Sequence, residues 1–249
     1  MQNVCLPARW AVPPCGTNFV FWEVWGYIRP SRASEKENRM KRQGRHLIVS
    51  LWLLATGAQA DQTHDHFVMA LSWSPTWCAE APRGDAAQCR PGRDLGWVLH
   101  GLWPQAPRGW PEYCATPHPA PSRAELDSVA DLFPSRGLAR HQWRKHGSCS
   151  GLSVAAYFAL SRQAYEALNR PPAFRALDQP VRLPADLVEE AFLAANPALD
   201  GSAVVVTCAQ GRVDELRLCL TTDLRPRPCT AQVASRACGL ADALLPAAP

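Results

Sequence analysis

From residue 61 onward the chain has a single lysine, Lys145, beside 17 arginines. It has no Asn-x-Ser/Thr sequon, no Cys-x-x-Cys pair, no internal repeat and no domain linker. No apolar run approaches the roughly 20 residues that a membrane helix needs, which leaves no membrane span in the mature chain. An excess of charge is missing too. Residues 1–60 hold 8 of the 26 Lys/Arg and 3 of the 22 Asp/Glu, leaving 18 basic and 19 acidic residues from Asp61 on, a net charge of −1. No global basic field therefore draws a polyanion onto that part, and any nucleic acid must be held by a local site. Proline, by contrast, is plentiful at 23 residues and predicts many loops.

The N-terminus reads as a leader. Residues 40–60, MKRQGRHLIVSLWLLATGAQA, place Lys41, Arg42 and Arg45 before an apolar run from Leu47 to Ala55 and a small-residue ending Ala58-Gln59-Ala60. This is the three-part pattern of an export signal, and it predicts cleavage after Ala60. Residues 1–39 show no periodicity and read as an over-extended reading frame or an unstructured extension; the alternative is a real extension with an internal signal anchor. The expected location is the periplasm or the extracellular medium. With no sequon and a short basic leader, the chain has the character of a bacterial export.

Eight cysteines lie beyond the leader: Cys78, Cys89, Cys114, Cys149, Cys208, Cys219, Cys229 and Cys238. An even number in an exported chain predicts four disulfides, although eight cysteines allow roughly a hundred connectivities. The alternative is a zinc site using His141, His146 and Cys149, which export to an oxidising compartment disfavours.

Residues 61–249 read as one α+β domain, large enough for a proper core. Phe67 to Trp73 alternates as a strand, with Phe67, Met69, Leu71 and Trp73 on one face. Trp97 to Leu102 predicts a second core strand stopped by Pro104, with His100 near its end. A proline-rich loop follows to residue 121. Helices are predicted over 122–133, where Ser122 and Glu125 form a capping box, and over 137–146, with Gly147 in a C-terminal cap position. Two more are predicted over 153–169, with a stripe of Ala156, Leu160, Ala164 and Leu168, and over 184–195. Ala203 to Cys208 and Val213 to Leu220 predict two strands joined by a tight turn at Gln210-Gly211, with Leu216, Leu218 and Leu220 on one side. The tail reads as cysteine-punctuated loop with a short apolar end.

The chemistry concentrates in residues 97–149. On the predicted helix, His141 and Lys145 share a face, as do Gln142 and His146, while Trp143 points away as an anchor. Two or three imidazoles and an ammonium, with no evident nucleophile, suit phosphoryl transfer in which the substrate supplies the nucleophile. One ring serves as base and another as acid, and the compact ammonium suits a phosphate oxygen. Each group alone also has an ordinary explanation, a core histidine or a solvated helix face.

Taken whole, Trp97-x-x-His100-Gly101-Leu102-Trp103-Pro104 and His141-x-Trp143-x-Lys145-His146-Gly147-x-Cys149 resemble the two signature segments of the ribonuclease T2 family. The likeness extends to FVMALSWSPTWC before them, and to Tyr157-Phe158 and ELRLCL after them. It implies an α+β fold with a central antiparallel sheet, stapled by disulfides. It also implies an endoribonuclease that needs no metal or cofactor, acts on single-stranded RNA and not DNA through a 2′,3′-cyclic phosphate, and works as a monomer. By matching position, the resemblance makes His146 the general base, His100 the general acid, His141 a phosphate ligand and Lys145 the stabiliser of the pentacoordinate state. It makes Trp103 a stacking partner for a base and places a second base pocket near Pro134-Ser135. It further implies the bridges Cys78–Cys89, Cys114–Cys149, Cys208–Cys238 and Cys219–Cys229. The chain departs from the family at Gln142, where many members carry glutamate. Two other classes stand beside this one: a non-catalytic relative that binds RNA or protein, and a disulfide-stapled binding module, which would leave the His/Lys clustering unexplained.

Overall fold

A computed structural model describes residues 64–80, 87–93, 95–174 and 177–247. The leader, the N-terminal extension and part of the loop between Cys78 and Cys89 lie outside the described residues. Within them the fold is α+β. Strands are β1 (His66–Trp73), β2 (Trp97–Gln105), β3 (Val181–Leu183), β4 (Val204–Ala209), β5 (Arg212–Thr221) and β6 (Ala243–Leu245). Helices are α1 (Ser74–Glu80), α2 (Arg123–Asp127), α3 (Arg136–Lys145), α4 (Val154–Ala167), α5 (Asp186–Ala195) and α6 (Ala231–Ala234). One six-stranded sheet runs β2-β1-β5-β6-β3, with β4 also on β5. All pairings are antiparallel except β5 with β6. Four disulfides join Cys78 to Cys89, Cys114 to Cys149, Cys208 to Cys238 and Cys219 to Cys229.

Side chains alternate across a sheet, and here the two faces differ. Phe67, Met69, Leu71 and Trp73 of β1 sit beside Leu99 and Leu102 of β2 and Leu216, Leu218 and Leu220 of β5 in the main core. Helices α2 to α5 add Leu126, Trp143, Tyr157, Phe158, Val188 and Phe192 to that core. The opposite face carries Ser72 of β1 and Glu215 and Arg217 of β5, with Trp103 and Gly101 of β2 at the matching registers.

Two irregularities shape this second face. Ala70 pairs with Gly101 and Leu71 with Leu99, so His100 is an extra residue on β2. Strict alternation would have turned His100 toward the core beside Leu102. The bulge keeps its imidazole on the polar face while Leu99 returns to the apolar one. On β5, Thr207 pairs with Glu215 and Cys208 with Val213, which makes Asp214 a second extra residue. His100 therefore lies within a strand, not near its end as the sequence suggested. Pro104 does not stop β2 but pairs with Phe67; β2 is an edge strand, where a missing donor breaks no ladder bond.

Other departures have local causes. Helix α2 ends at Asp127 rather than running to Phe133. The Ser128 hydroxyl donates to the Glu125 carbonyl (2.7 Å) and Arg162 donates to the Ser128 carbonyl (3.0 Å), diverting acceptors that a longer helix would use. The capping box at Ser122 and Glu125 is formed. In α4 the buried face is Val154, Tyr157, Phe158, Ser161 and Ala164, and Ala156 is exposed. Gly147 takes no left-handed cap conformation. It opens a 3-10 turn, and a Cβ there would lie 2.5 Å from Trp143 and 2.9 Å from Tyr157, so close packing is what requires glycine. The turn at Gln210-Gly211 has both residues at positive φ, 47° and 78°, as a tight hairpin demands. Helix α1, the short α6 and the three-residue strands β3 and β6 were not anticipated.

Candidate active site

The polar face of the sheet opens into a cavity of about 510 Å³ lined by His100, Trp103, Glu112, His141, Gln142, Lys145, His146, Glu215 and Arg217 among others. Helix α3 presents His141, Gln142 and Lys145, and its C-cap residue is His146. Its start is capped by Ser135, whose hydroxyl accepts from the Leu138 N–H at 3.1 Å. Its last turn is held by Trp143 in the core and by the Tyr113 N–H, which donates to the Lys145 carbonyl at 2.8 Å. Disulfide Cys114–Cys149 ties the proline-rich loop to the turn just beyond the helix, which commits Cys149 to sulfur rather than to a metal.

Gly101 is where helix and strand meet. A Cβ there would lie 2.2 Å from the Gln142 side-chain oxygen and 2.5 Å from Trp103 Nε1. That approach allows the Trp103 indole N–H to donate to Gln142 Oε1 at 2.9 Å. Gln142 is buried, and its amide thus fixes the indole. Trp103 in turn separates two imidazoles: the His146 ring stacks on it (centroids 5.3 Å, 28° between planes) and His100 meets it edge-on, also at 5.3 Å. Arg217 stands over the same ring at 5.5 Å.

The two imidazoles have opposite surroundings. His146 is 5% exposed, and its Nδ1 is buried with no hydrogen-bond partner among the described residues. Burial pushes its pKa down to about 3, with Lys145, His100 and His141 adding to the effect. It is therefore a neutral ring at any ordinary pH. His141 is also lowered, by burial first and then by Arg144, Lys145 and His100, against Glu112. His100 instead has a carboxylate: its Nδ1 lies 2.5 Å from Glu215 Oε1 and 3.2 Å from the Ser72 hydroxyl. Burial alone would raise the Glu215 carboxyl, but the hydrogen bond and charge of His100, with Arg217, hold it below the usual range. Asp214, on the bulge beside it, is raised to about 6 by burial, Glu215 and Glu80. Lys145 pairs with Glu112 at 3.1 Å, and Glu112 also accepts from the exposed Trp110 indole at 3.0 Å.

Residues 64–229 match the model of the Ribonuclease T2 family. The chain belongs to the ribonuclease T2 family. It is similar to a ribonuclease of Aeromonas hydrophila, 53% identical over 97 residues that make up 39% of this chain and 43% of that protein. It is also similar to a probable ribonuclease of Haemophilus influenzae, 34% identical over 128 residues, 46% and 47% of the two chains. The chain spans about half the length of the curated relatives it matches. Among solved structures, an RNase-related protein from Calystegia sepium superposes with a TM-score of 0.58 at 19% identity, covering 75% of this chain and 98% of that one. The S-like ribonuclease trichomaglin gives 0.58 and 19%, covering 75% and 99%. These show a shared fold.

In this T2-family chain the cavity gathers His100, Trp103, His141, Gln142, Lys145 and His146 from the two signature segments. Pro134 and Ser135 are not among its lining residues; the Ser135 hydroxyl is committed to capping α3. Glu112, Asp214, Glu215 and Arg217 escaped the sequence reading. For the two last the signal was present: they alternate with Leu216 and Leu218, so one side of β5 had to be polar. Glu112, inside a proline-rich loop, carried none.

Proposed function

We propose that the protein is an exported endoribonuclease that cleaves single-stranded RNA by transphosphorylation. The observation that carries this is the contrast between two imidazoles in one cavity, His146 buried and neutral, His100 bonded to a carboxylate. A neutral ring is what a general base requires, and a ring beside an anion is suited to hold the proton a general acid must deliver.

His146 takes the proton of the 2′-hydroxyl. The 2′-oxygen attacks phosphorus, the bond to the 5′-oxygen breaks, and His100 protonates that oxygen. The product is a 2′,3′-cyclic phosphate. In a second step a water gives its proton to His100 and attacks phosphorus, and His146 returns a proton to the 2′-oxygen, leaving a 3′-phosphate. His141 holds a phosphate oxygen, and Lys145 offsets the added charge of the pentacoordinate state. The incoming phosphate displaces Glu112 from Lys145. Trp103, fixed by Gln142, gives a base a flat apolar neighbour. DNA has no 2′-hydroxyl and supplies no nucleophile. Four disulfides suit an oxidising compartment, and the domain acts as a monomer after removal of a leader ending at Ala60.

Incubation of residues 61–249 with RNA and with DNA, both in EDTA, tests the reading. Cleavage of RNA alone, with cyclic phosphate ends, is expected. Binding of RNA without cleavage would make the chain a non-catalytic relative.

Gln142 has its own consequence. In Gln142→Glu a carboxylate enters beside His146, and the charged ring becomes less costly. The acid limb of the kcat/KM profile should then move toward neutral pH, because the base is inactivated by protonation at higher pH. An unchanged profile would show that position 142 acts only through its hold on Trp103.

A further inference from the structure

We propose that Glu215 is a positioning residue for the proton-donating His100, held in place by Arg217, so that the sheet supplies the carboxylate that helix α3 lacks at Gln142. This rests on the acid role given to His100 above. Glu215 lies on β5, two strands away from His100 on β2, with Ser72 of β1 between them. Regular alternation with Leu216 turns Glu215 to the polar face, and the bulge at His100 turns the imidazole to the same face at a neighbouring level of the sheet. Glu215 is 5% exposed. One oxygen, Oε1, meets His100 Nδ1 at 2.5 Å. The other, Oε2, accepts from Arg217 Nε at 3.0 Å and Nη2 at 2.8 Å. A fork of two N–H groups on one oxygen leaves the carboxylate little freedom to turn away from the imidazole.

Two effects follow. First, with Nδ1–H donated to Glu215, the proton that moves in each step is the one on Nε2. The ring then alternates between acid and base on that nitrogen alone, as a carboxylate-held imidazole does elsewhere. Second, Glu215 is in direct contact with His100, whereas His146 Nδ1 has no hydrogen-bond partner among the described residues. The other charged or titratable groups of the cavity near His100 are Arg217 and Asp214 of β5, His141 and Lys145 of α3, His146 just beyond it, and Glu112. The two rings thus differ in their partners as an acid and a base must.

The test uses Glu215→Gln in the full domain, with two substrates. Single-stranded RNA has a poor leaving group that needs the proton of His100. A uridine 3′-aryl phosphate has a leaving group that departs without one. On RNA, kcat should fall on the order of 10²-fold, because a ring no longer held by the carboxylate is misaligned with the 5′-oxygen. On the aryl substrate the loss should shrink to a few-fold. Equal losses on both substrates would overturn the role. Should the variant fail to fold, nitrogen-15 NMR of the wild-type protein decides: the neutral form of His100 should carry its proton on Nδ1, and a proton on Nε2 overturns the proposal. The underlying reading fails differently, for His100→Ala would then cleave RNA as fast as wild type.

Discussion

Replacing His146 with alanine is expected to lower kcat/KM on single-stranded RNA by about 10²–10⁴-fold, the range of a general base, while RNA binding persists. The ring is the neutral imidazole of the site, and neither His141 nor His100 can substitute for it. His141 is assigned to the phosphate, and His100 is committed to Glu215 through Nδ1. The substitution has a second signature, in stability. The folded-state pKa of His146 is depressed to about 3 from 6.5. As pH falls below 6.5 the unfolded chain binds this proton and the folded one does not, so the wild type loses stability progressively until about pH 3. His146→Ala removes that term, and its stability should decline less steeply on acidification. Kinetics on RNA and denaturant titrations across pH 3–7 check the two signatures. A variant that retains full activity would remove His146 from the chemistry.

Trp143→Ala should have the largest effect on stability, about 3–5 kcal/mol, or roughly 10 °C in melting temperature. Trp143 is 3% exposed and meets Tyr157 edge-on at 5.7 Å, and Gly147 packs against its ring. Tyr157 in turn donates to the Leu102 carbonyl of β2 at 2.9 Å. The indole is thus one link between α3 and the strand that bears His100. Thermal unfolding reads the loss. At temperatures where the variant is folded, its kcat should still fall, because His141, Lys145 and His146 share a helix whose anchor is gone. Unchanged stability would place the anchor elsewhere, with the Cys114–Cys149 bridge the first alternative.

Much of this was legible from local pattern. The alternation in β1 and in β5, the cap at Ser122 and the Gln210-Gly211 turn are signals carried by a few adjacent residues. The gathering of the two histidine segments followed from their resemblance to a known family. What escaped depended on distant partners. Pro104 looks like a strand stop unless β2 is known to be an edge. Val181–Leu183 and Ala243–Leu245 are each too short to show a period, and each exists because the other lies beside it. The end of α2 is decided by Arg162, more than thirty positions later. His100 and Glu215, 115 residues apart, meet because an irregularity of register on β2, which no periodicity announces, turns the imidazole to the face where alternation puts the carboxylate.

The extra residue at position 100 makes the number of residues in β2 as consequential as their identity. Deleting that residue would leave Leu99 opposite Leu71 and Gly101 opposite Ala70, and the pleat would become regular with both faces preserved. The apolar core would be untouched, and the polar face would lose its imidazole alone. Variation in this family at that strand is therefore expected as substitution, with changes in length confined to the loops on either side.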